Sequence, residues 1–332
     1  MRRPLAALLV LAAVACSPAP PAARVTPSPS SVAGAAPAPT ATPQPTPVPT
    51  PALPDYYIES LRARPYPGGT LEMRDQMARG DGFTKYHMAW PSMGQLMTGT
   101  ISVPDGPGPF PVVVVNHGFI PPDRYWIGQD SGIFGDPLAS HGFISVAPNW
   151  PGYAGSGPSP RELPGIVAEL VAALDLVSSL RSFAKADASR VAFIGHSNGG
   201  GISLLAMVVD PRVKAVVLFA PVSSDMADNA RKWWLRSGSM GAAGSPDANP
   251  EGYAHLSPHN YFSSGQAPAL FLQGTSDEDI PADWTNRTLD AMRATGIESE
   301  IVWFPGARHD MVGGDLARAN QLSEAWIRRR LT

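Results

Sequence analysis

The chain has a single cysteine among its 332 residues and no cluster of lysines or arginines. One cysteine excludes an intramolecular disulfide, so the fold has to be stabilised by packing. The 25 Lys and Arg residues are outnumbered by 28 Asp and Glu, which gives a formal charge of -3. Without a basic stripe the surface cannot neutralise a run of phosphates, and we expect no nucleic-acid partner.

The composition favours a folded domain with a sizeable core. Hydrophobic residues make up 44% of the chain and charged residues 16%. These fractions are typical of soluble globular proteins and not of disordered chains. A chain of this length is compatible with one large catalytic domain, which is a simpler interpretation than two average ones.

The first fifteen residues have the features of an export signal. Two arginines precede an apolar run that is too short to span a bilayer. The run ends in the letters AVAC at residues 13–16, which resemble a bacterial lipobox. We therefore expect 1–15 to be a signal peptide and Cys16 to carry a lipid, so that an exported lipoprotein on the cell surface or in the periplasm contacts the membrane through that lipid only. The alternative is a plain signal peptide cut near Ala15 and a secreted protein.

Residues 16–54 are predicted to be a spacer. The stretch after Cys16 consists almost entirely of Pro, Ala, Thr, Ser and Val, with Arg24 as its only charge. Such a composition cannot bury a core and favours an extended, disordered linker. Aromatic residues and apolar runs appear from about Asp55, so we expect the catalytic domain to span 55–332.

Apolar runs alternate with amphipathic stretches throughout that domain. Strands are predicted at Thr84–Trp90, Gln95–Val103, Pro111–Val115, Phe143–Ala147, Arg190–Ile194, Val213–Phe219, Ala269–Leu272 and Glu300–Phe304. Helices are predicted at Ile166–Phe183, Trp284–Thr295 and Leu316–Arg330. This alternation indicates an α/β fold with a mostly parallel central sheet and helices on both faces. The segment 223–266 interrupts the pattern, and its aromatic residues suit a small cap over a substrate pocket.

The strongest chemical signal is the sequence Gly-His-Ser-Asn-Gly at 195–199. It follows an apolar strand and is followed by glycines that open a helix, which is the context of a nucleophile elbow. A serine hydroxyl becomes a useful nucleophile when a sharp turn exposes it beside a base and oxyanion donors. We therefore predict Ser197 as the nucleophile, against the alternative of a structural glycine-rich turn.

The base must be one of seven histidines, and the chain order of this fold places it after the nucleophile and the acid. His255 and His259 lie in the cap segment, before the last two strands. His309 lies in a loop between the last strand and the terminal helix, where an imidazole can take the Ser197 proton. His309 is the predicted base. The alternative without a catalytic role is a solvent-exposed histidine in a loop.

The third member should be a carboxylate that orients His309. Asp277 follows the penultimate strand and is our choice, with Glu278 and Asp279 as close rivals. Some enzymes of this fold take the acid from the preceding strand, which here is Asp225. Each of these acids could instead have a structural role, as the cap of a helix or in a solvated turn.

Oxyanion donors in such sites are backbone amides, so the sequence indicates positions only. The N–H of Asn198, directly after the nucleophile, should be one donor. The second is predicted at Phe119, since Gly118 permits a tight turn after the strand that ends near Val115. His117 and His196 are interpreted as packing beside the elbow.

The motifs together resemble the α/β-hydrolase superfamily. They are Asn116-His117-Gly118-Phe119, the stretch 150–157, the elbow, Gly274-Thr275-Ser276-Asp277 and His309. Within it the chain is similar to dienelactone-hydrolase-like esterases and to the catalytic domain of the prolyl oligopeptidase group, and its elbow is similar to that of cutinase-like polyester hydrolases. Asn198 departs from the Met or Gln of many such elbows, and the chain is too short for the β-propeller that restricts oligopeptidases to short peptides.

The resemblance implies a serine hydrolase that needs no metal or organic cofactor and acts on a small-molecule ester or a short peptide. Our main hypothesis is carboxylic ester hydrolysis through an acyl-enzyme intermediate. The alternatives are a serine peptidase of the prolyl oligopeptidase type, a transferase or haloperoxidase, and a non-catalytic binding lipoprotein on the same scaffold, because fold does not fix function.

Overall fold

The computed structural model describes residues 53–332. The predicted signal peptide, Cys16 and nearly all of the predicted spacer lie outside the described residues. Within them the chain forms nine strands. They are β1 (Glu72–Gly80), β2 (Phe83–Ser92), β3 (Gln95–Pro104), β4 (Phe110–Asn116), β5 (Ile144–Pro148), β6 (Ala186–His196), β7 (Val213–Phe219), β8 (Ala269–Gly274) and β9 (Ser299–Phe304).

The same residues contain nine α-helical segments, several of them short. They are α1 (Ile58–Ala63), α2 (Ser131–Ser140), α3 (Gly165–Ser179), α4 (Asn198–Val209), α5 (Met226–Asn229), α6 (Leu235–Ser237), α7 (Pro250–Leu256), α8 (Ala282–Ala294) and α9 (Gly313–Leu331). No helix in residues 53–332 is both long and apolar enough to cross a membrane.

All nine strands form one sheet in the order β1-β2-β3-β5-β4-β6-β7-β8-β9. The neighbouring pairs β1-β2, β2-β3 and β3-β5 are antiparallel. The remaining pairs, β5-β4, β4-β6, β6-β7, β7-β8 and β8-β9, are parallel. Strand order reverses between β4 and β6, because the chain leaves β4 for β5 on one side and returns to β6 on the other. In open α/β sheets the binding crevice lies outside the carboxyl ends of the strands at such a point.

The apolar run of β4 shows why the sheet is covered on both faces. Side chains of a strand point alternately to opposite faces. Val112 and Val114 join the hydrophobic cluster that includes residues of α3, α4 and α8, whereas Val113 and Val115 join the cluster that includes residues of α2 and α9. The expected α/β fold, a mostly parallel sheet between two layers of helices, is confirmed.

The segment 223–266 is helical and holds α5, α6 and α7, linked by short 3₁₀ and π turns. It joins β7 to β8 above the carboxyl edge of the sheet. Residues 237–241 of this segment, together with Trp234, line a cavity described below. The segment therefore borders a cavity, as expected for the cap that the sequence analysis predicted.

Candidate active site

The elbow at Ser197 has the strained backbone that exposes a nucleophile. Ser197 ends β6 and precedes α4, with φ 54° and ψ -117°, a conformation that side-chain-bearing residues rarely adopt. Its amide donates to Phe219 O at 2.9 Å, and its carbonyl accepts from Gly200 N at 2.9 Å. The strain is thus held by bonds to the neighbouring strand and to the first turn of α4.

Glycine is required on both sides of this turn. A Cβ at Gly195 would overlap the backbone of Gly199, and a Cβ at Gly199 would overlap the carbonyl of Asn116. The close approach brings the end of β4 against the start of α4. It places the loop after Asn116 next to Ser197.

His309 and Asp277 meet above the carboxyl ends of β8 and β9. Both carboxylate oxygens of Asp277 lie 3.1 Å from Nδ1 of His309. The Asp277 side chain is only 2% exposed and that of His309 10%. Asp277 also accepts hydrogen bonds from the side chain of Gln273 and from the amides of Asp279 and Ile280. These donors fix the carboxylate, so it can hold the imidazole in one tautomer.

The rival acids have other partners. Glu278 pairs with the Arg308 guanidinium and accepts from the amide of His309, and these contacts lower the pKa of its exposed carboxyl to about 2. Asp225 caps α5 by accepting from Ala227 N at 2.9 Å. Of the acids weighed from the sequence, Asp277 alone contacts the His309 ring.

Ser197 and His309 are brought to the same end of the sheet. The rings of His309 and of His196, the residue before the nucleophile, lie 4.9 Å apart between centroids. The Ser197 hydroxyl has no hydrogen-bond partner within residues 53–332. Catalytic hydrogen bonds often form only when substrate binds.

The predicted oxyanion positions are adjacent to the elbow. The amides of Phe119 and Asn198 have no acceptor among the described residues, and both residues line the cavity beside the elbow. The Phe119 side chain is 64% exposed. Free N–H groups at the start of a helix and in a facing loop are suited to bind a developing negative oxygen.

A buried ion pair that the sequence did not indicate ties this loop to the elbow. Asp130 accepts from Gly118 N at 2.7 Å and lies 3.0 Å from Nδ1 of His196. Burial opposes ionisation of Asp130, but the charge and hydrogen bond of His196 outweigh it and lower the pKa of Asp130 to about 2. Burial likewise disfavours charged His196, yet Asp130 raises its pKa.

His117 lies beside the elbow as expected and is not part of that pair. Its ring stacks on Trp150 at 4.1 Å and on Tyr125 at 4.6 Å. Burial lowers the pKa of His117 to about 4, so the ring is neutral near pH 7. It serves to pack the loop that carries Phe119.

A cavity of about 520 Å³ opens beside the elbow. Phe119 and Asn198 border it on the side of the elbow, α3 contributes Glu169, and Trp150, Tyr153 and Trp234 contribute aromatic surface. The aromatic residues Tyr125, Trp126 and Trp233 do not line it. Its size suits a small substrate.

The mostly parallel sheet, the half-buried serine on its strained elbow and the buried Asp–His pair define a serine hydrolase of the α/β-hydrolase fold. Residues 135–331, more than half of the chain, match the prolyl oligopeptidase family. The chain belongs to that family.

Curated relatives include proteins described as carboxymethylenebutenolidases. Over 241 residues the chain is 26% identical to an Escherichia coli (strain K12) protein described as "Putative carboxymethylenebutenolidase", covering 69% of this chain and 76% of that protein. It is 37% identical over 92 residues to an uncharacterised protein of Pseudomonas aeruginosa, covering 27% of this chain and 24% of that one. The expected similarity to dienelactone-hydrolase-like proteins is confirmed.

Solved structures with the same fold include peptidases and esterases. An acylaminoacyl peptidase of Pyrococcus horikoshii superposes with a TM-score of 0.62 at 21% identity, covering 77% of this chain and 44% of that one. Acetyl xylan esterase 1 of Thermoanaerobacterium sp. JW/SL YS485 gives 0.59 at 14% identity, covering 84% and 93%. The chain thus spans less than half of the peptidase and nearly all of the esterase.

Proposed function

We propose that this protein hydrolyses carboxylic esters, with Ser197 as nucleophile, His309 as base and Asp277 as the residue that orients it. The observation that carries the proposal is the buried Asp277–His309 pair, facing the same end of the sheet as the strained Ser197 elbow. A nucleophile, a base and an orienting carboxylate are the parts that acyl transfer requires.

The reaction follows from these roles. Ser197 Oγ attacks the ester carbonyl while its proton passes to Nε2 of His309, and the amides of Phe119 and Asn198 donate to the carbonyl oxygen as it becomes negative. The C–O bond then breaks and the alcohol leaves with the proton from His309. Water, deprotonated by His309, attacks the acyl-enzyme and releases the carboxylic acid and free Ser197.

Two observations favour esters over peptides. The E. coli relative named as a carboxymethylenebutenolidase aligns over most of both chains. The cavity beside the elbow has a volume of about 520 Å³ and mixed aromatic and apolar walls, which suits a small substrate better than an extended peptide. Membership of the prolyl oligopeptidase family favours the second candidate, a serine peptidase.

The two candidates predict different substrates. We expect purified 55–332 to hydrolyse short p-nitrophenyl esters, with proline and alanine p-nitroanilides cleaved far more slowly, and Ser197→Ala to lose the ester activity. Preferential anilide cleavage would assign the peptidase reaction instead. Ester turnover that persists in Ser197→Ala would remove the proposed nucleophile, and the absence of both activities would favour a binding role.

We also propose, from the sequence, that the protein is exported and anchored through lipid on Cys16. No residue of the catalytic domain is needed for that anchor.

A further inference from the structure

The mechanism leaves one carboxyl group in the cavity without a role. Glu169 lies on α3, inside the layer of helices that covers the sheet, and its side chain faces the cavity next to Asn198. Of the residues in the described part of the chain that line this cavity, Glu169 is the one acid. A carboxyl group in a largely apolar wall is costly unless something compensates it.

Its contacts in the protein do not provide that compensation. Asn198 Nδ2 donates to Oε2 of Glu169 at 3.0 Å, and no lysine, arginine or histidine in residues 53–332 lies within salt-bridge distance of the carboxyl. Burial raises the pKa of Glu169, and the hydrogen bond from Asn198 lowers it by less, so the pKa is about 8. The group is held in place by one hydrogen bond and lacks a cation.

Four aromatic residues contribute to the remaining walls of the cavity. Trp150 and Tyr153 are buried and pack edge to face, with ring centroids 5.3 Å apart, and Trp234 and Phe119 line the cavity from the cap segment and the loop after β4. Burial raises the pKa of Tyr153, and the charge of Glu169 raises it further. A cation near aromatic faces gains cation–π attraction of about 0.5–2 kcal/mol.

We propose that Glu169 and these four aromatic residues form a binding site for an organic ammonium group of the substrate. The proposal rests on the proposed hydrolase function and narrows it to esters that carry such a cation. The site lies one residue from the nucleophile, because Asn198 both follows Ser197 and holds the Glu169 carboxyl. Glu169 is thus a specificity residue, and an incoming cation favours its ionised form.

The charged and titratable groups around the site are few. Arg161, which is exposed, and Tyr153, in the loop after β5, line the same cavity, and Asn198 contacts Glu169 from α4 without titrating. Between about pH 6 and pH 9, Glu169 is the member of this set that changes charge. The competing hypothesis for the same cavity is that Arg161 binds an anionic group of the substrate.

The test uses a cation and its neutral isostere, choline and 3,3-dimethylbutan-1-ol, titrated calorimetrically into the protein. Above about pH 8, where Glu169 is ionised, we expect choline to bind at least about tenfold more tightly than the alcohol. Glu169→Gln should reduce the ratio several-fold and leave only the part that the aromatic residues contribute, while Glu162→Gln, which removes the same charge from an exposed residue outside the cavity lining, should leave it unchanged. Equal binding of the two compounds by the parent protein, or a ratio that Glu169→Gln does not lower, overturns the proposal.

A second readout needs no variant. Near pH 7 the binding of choline should release roughly 0.4 proton per site or more, because a tenfold preference for ionised Glu169 lowers its pKa by about one unit, and above about pH 9 it should release almost none. Proton release that is independent of pH overturns the proposal even if Glu169→Gln does not fold. Since both readouts measure binding, they succeed or fail independently of ester turnover, which tests the proposed function itself.

Discussion

Nδ1 of His309 lies 3.1 Å from both carboxylate oxygens of Asp277, although the two residues are 32 positions apart in the chain. The loops after β8 and β9 bring them together because parallel neighbouring strands end at the same edge of the sheet. Asp277 accepts three further hydrogen bonds, from the side chain of Gln273 and from the amides of Asp279 and Ile280, so its carboxylate is held in place against His309. With Nδ1 engaged by Asp277, Nε2 of His309 is left for the proton transfer from Ser197 that we propose.

Replacing Asp277 tests this relationship. Asp277→Asn keeps the shape but stabilises the wrong imidazole tautomer and does not stabilise the imidazolium, so we expect kcat for ester hydrolysis to fall about 10³ to 10⁴-fold with a small change in KM. Steady-state kinetics would measure it. Asp279→Asn is the matched control, because Asp279 contacts Asp277 through its backbone amide only, and it should retain most of the activity.

A kcat for Asp277→Asn within a few-fold of the parent value would contradict the role of Asp277. If Asp279→Asn is the more damaging of the two, the acid has been assigned to the wrong residue.

The Asp130–His196 pair predicts a pH-dependent stability. The pKa of Asp130 is lower in the folded state than its ordinary 3.8, so its contribution is present above about pH 4 and is lost as pH falls towards about 2. The pKa of His196 is higher than its ordinary 6.5, so its contribution is complete below about pH 6.5 and is lost as pH rises through the folded-state value. The two contributions coincide between about pH 4 and pH 6.5.

Asp130→Asn should therefore lower the free energy of unfolding most in that window, by about 3 kcal/mol, because it leaves His196 buried without its anion. Denaturant unfolding of parent and variant at about pH 5 and pH 9 measures the difference. Asp310→Asn is the control, since Asp310 lies 3.7 Å from the same ring but is 84% exposed, and its effect should be small. A difference between parent and Asp130→Asn that is the same at both pH values would contradict the pairing.

The close packing at the elbow predicts that adding one methyl group at Gly199 is destabilising. Gly199→Ala places a Cβ against the Asn116 carbonyl, a backbone atom that cannot move aside, so we expect a loss of about 1–3 kcal/mol of stability together with most of the activity. Thermal unfolding and ester kinetics measure the two effects. Gly314→Ala adds the same methyl group where no atom lies within 4 Å and should be close to neutral. A fully active, stable Gly199→Ala would show that the elbow does not need the close approach.

The N-terminal signal predicts lipid attachment. In a bacterial host that processes lipoproteins, the full chain grown with an alkyne-labelled fatty acid should become labelled and pellet with membranes. Cys16→Ser should be unlabelled and soluble after export, whereas Ser17→Cys, which keeps Cys16, should behave like the parent. An unlabelled parent protein that is released after cleavage would favour the plain signal peptide.

Much of the sheet could be predicted because buried strands have continuous apolar runs. The prediction for β7, Val213–Phe219, agrees with the structure, and seven other strands were located to within a few residues. The strand β1 was missed, because Glu72–Gly80 carries four charged residues and is exposed along most of its length. An edge strand that pairs on one side only needs no apolar pattern.

Candidate site residues could be predicted where a local sequence motif indicates them. Contacts between residues that are distant in the chain could not. The elbow sequence indicates Ser197, and chain order narrows the choice of base to His309. Asp130 pairs with a histidine 66 positions away, and no local pattern signals that contact. Glu169 was also missed, since α3 was treated as having one apolar face whereas it is enclosed almost all round. A lone acid in such an apolar helix is the signal that could have indicated it.

The central claim, that Ser197 is the nucleophile, is tested most directly by covalent labelling. The protein treated with a fluorophosphonate should gain the mass of one adduct, and peptide mapping should locate it on Ser197. Ser197→Ala should gain none, and His309→Ala should react far more slowly because the base is missing. An adduct on another residue, or none in a protein that still hydrolyses esters, would contradict the account.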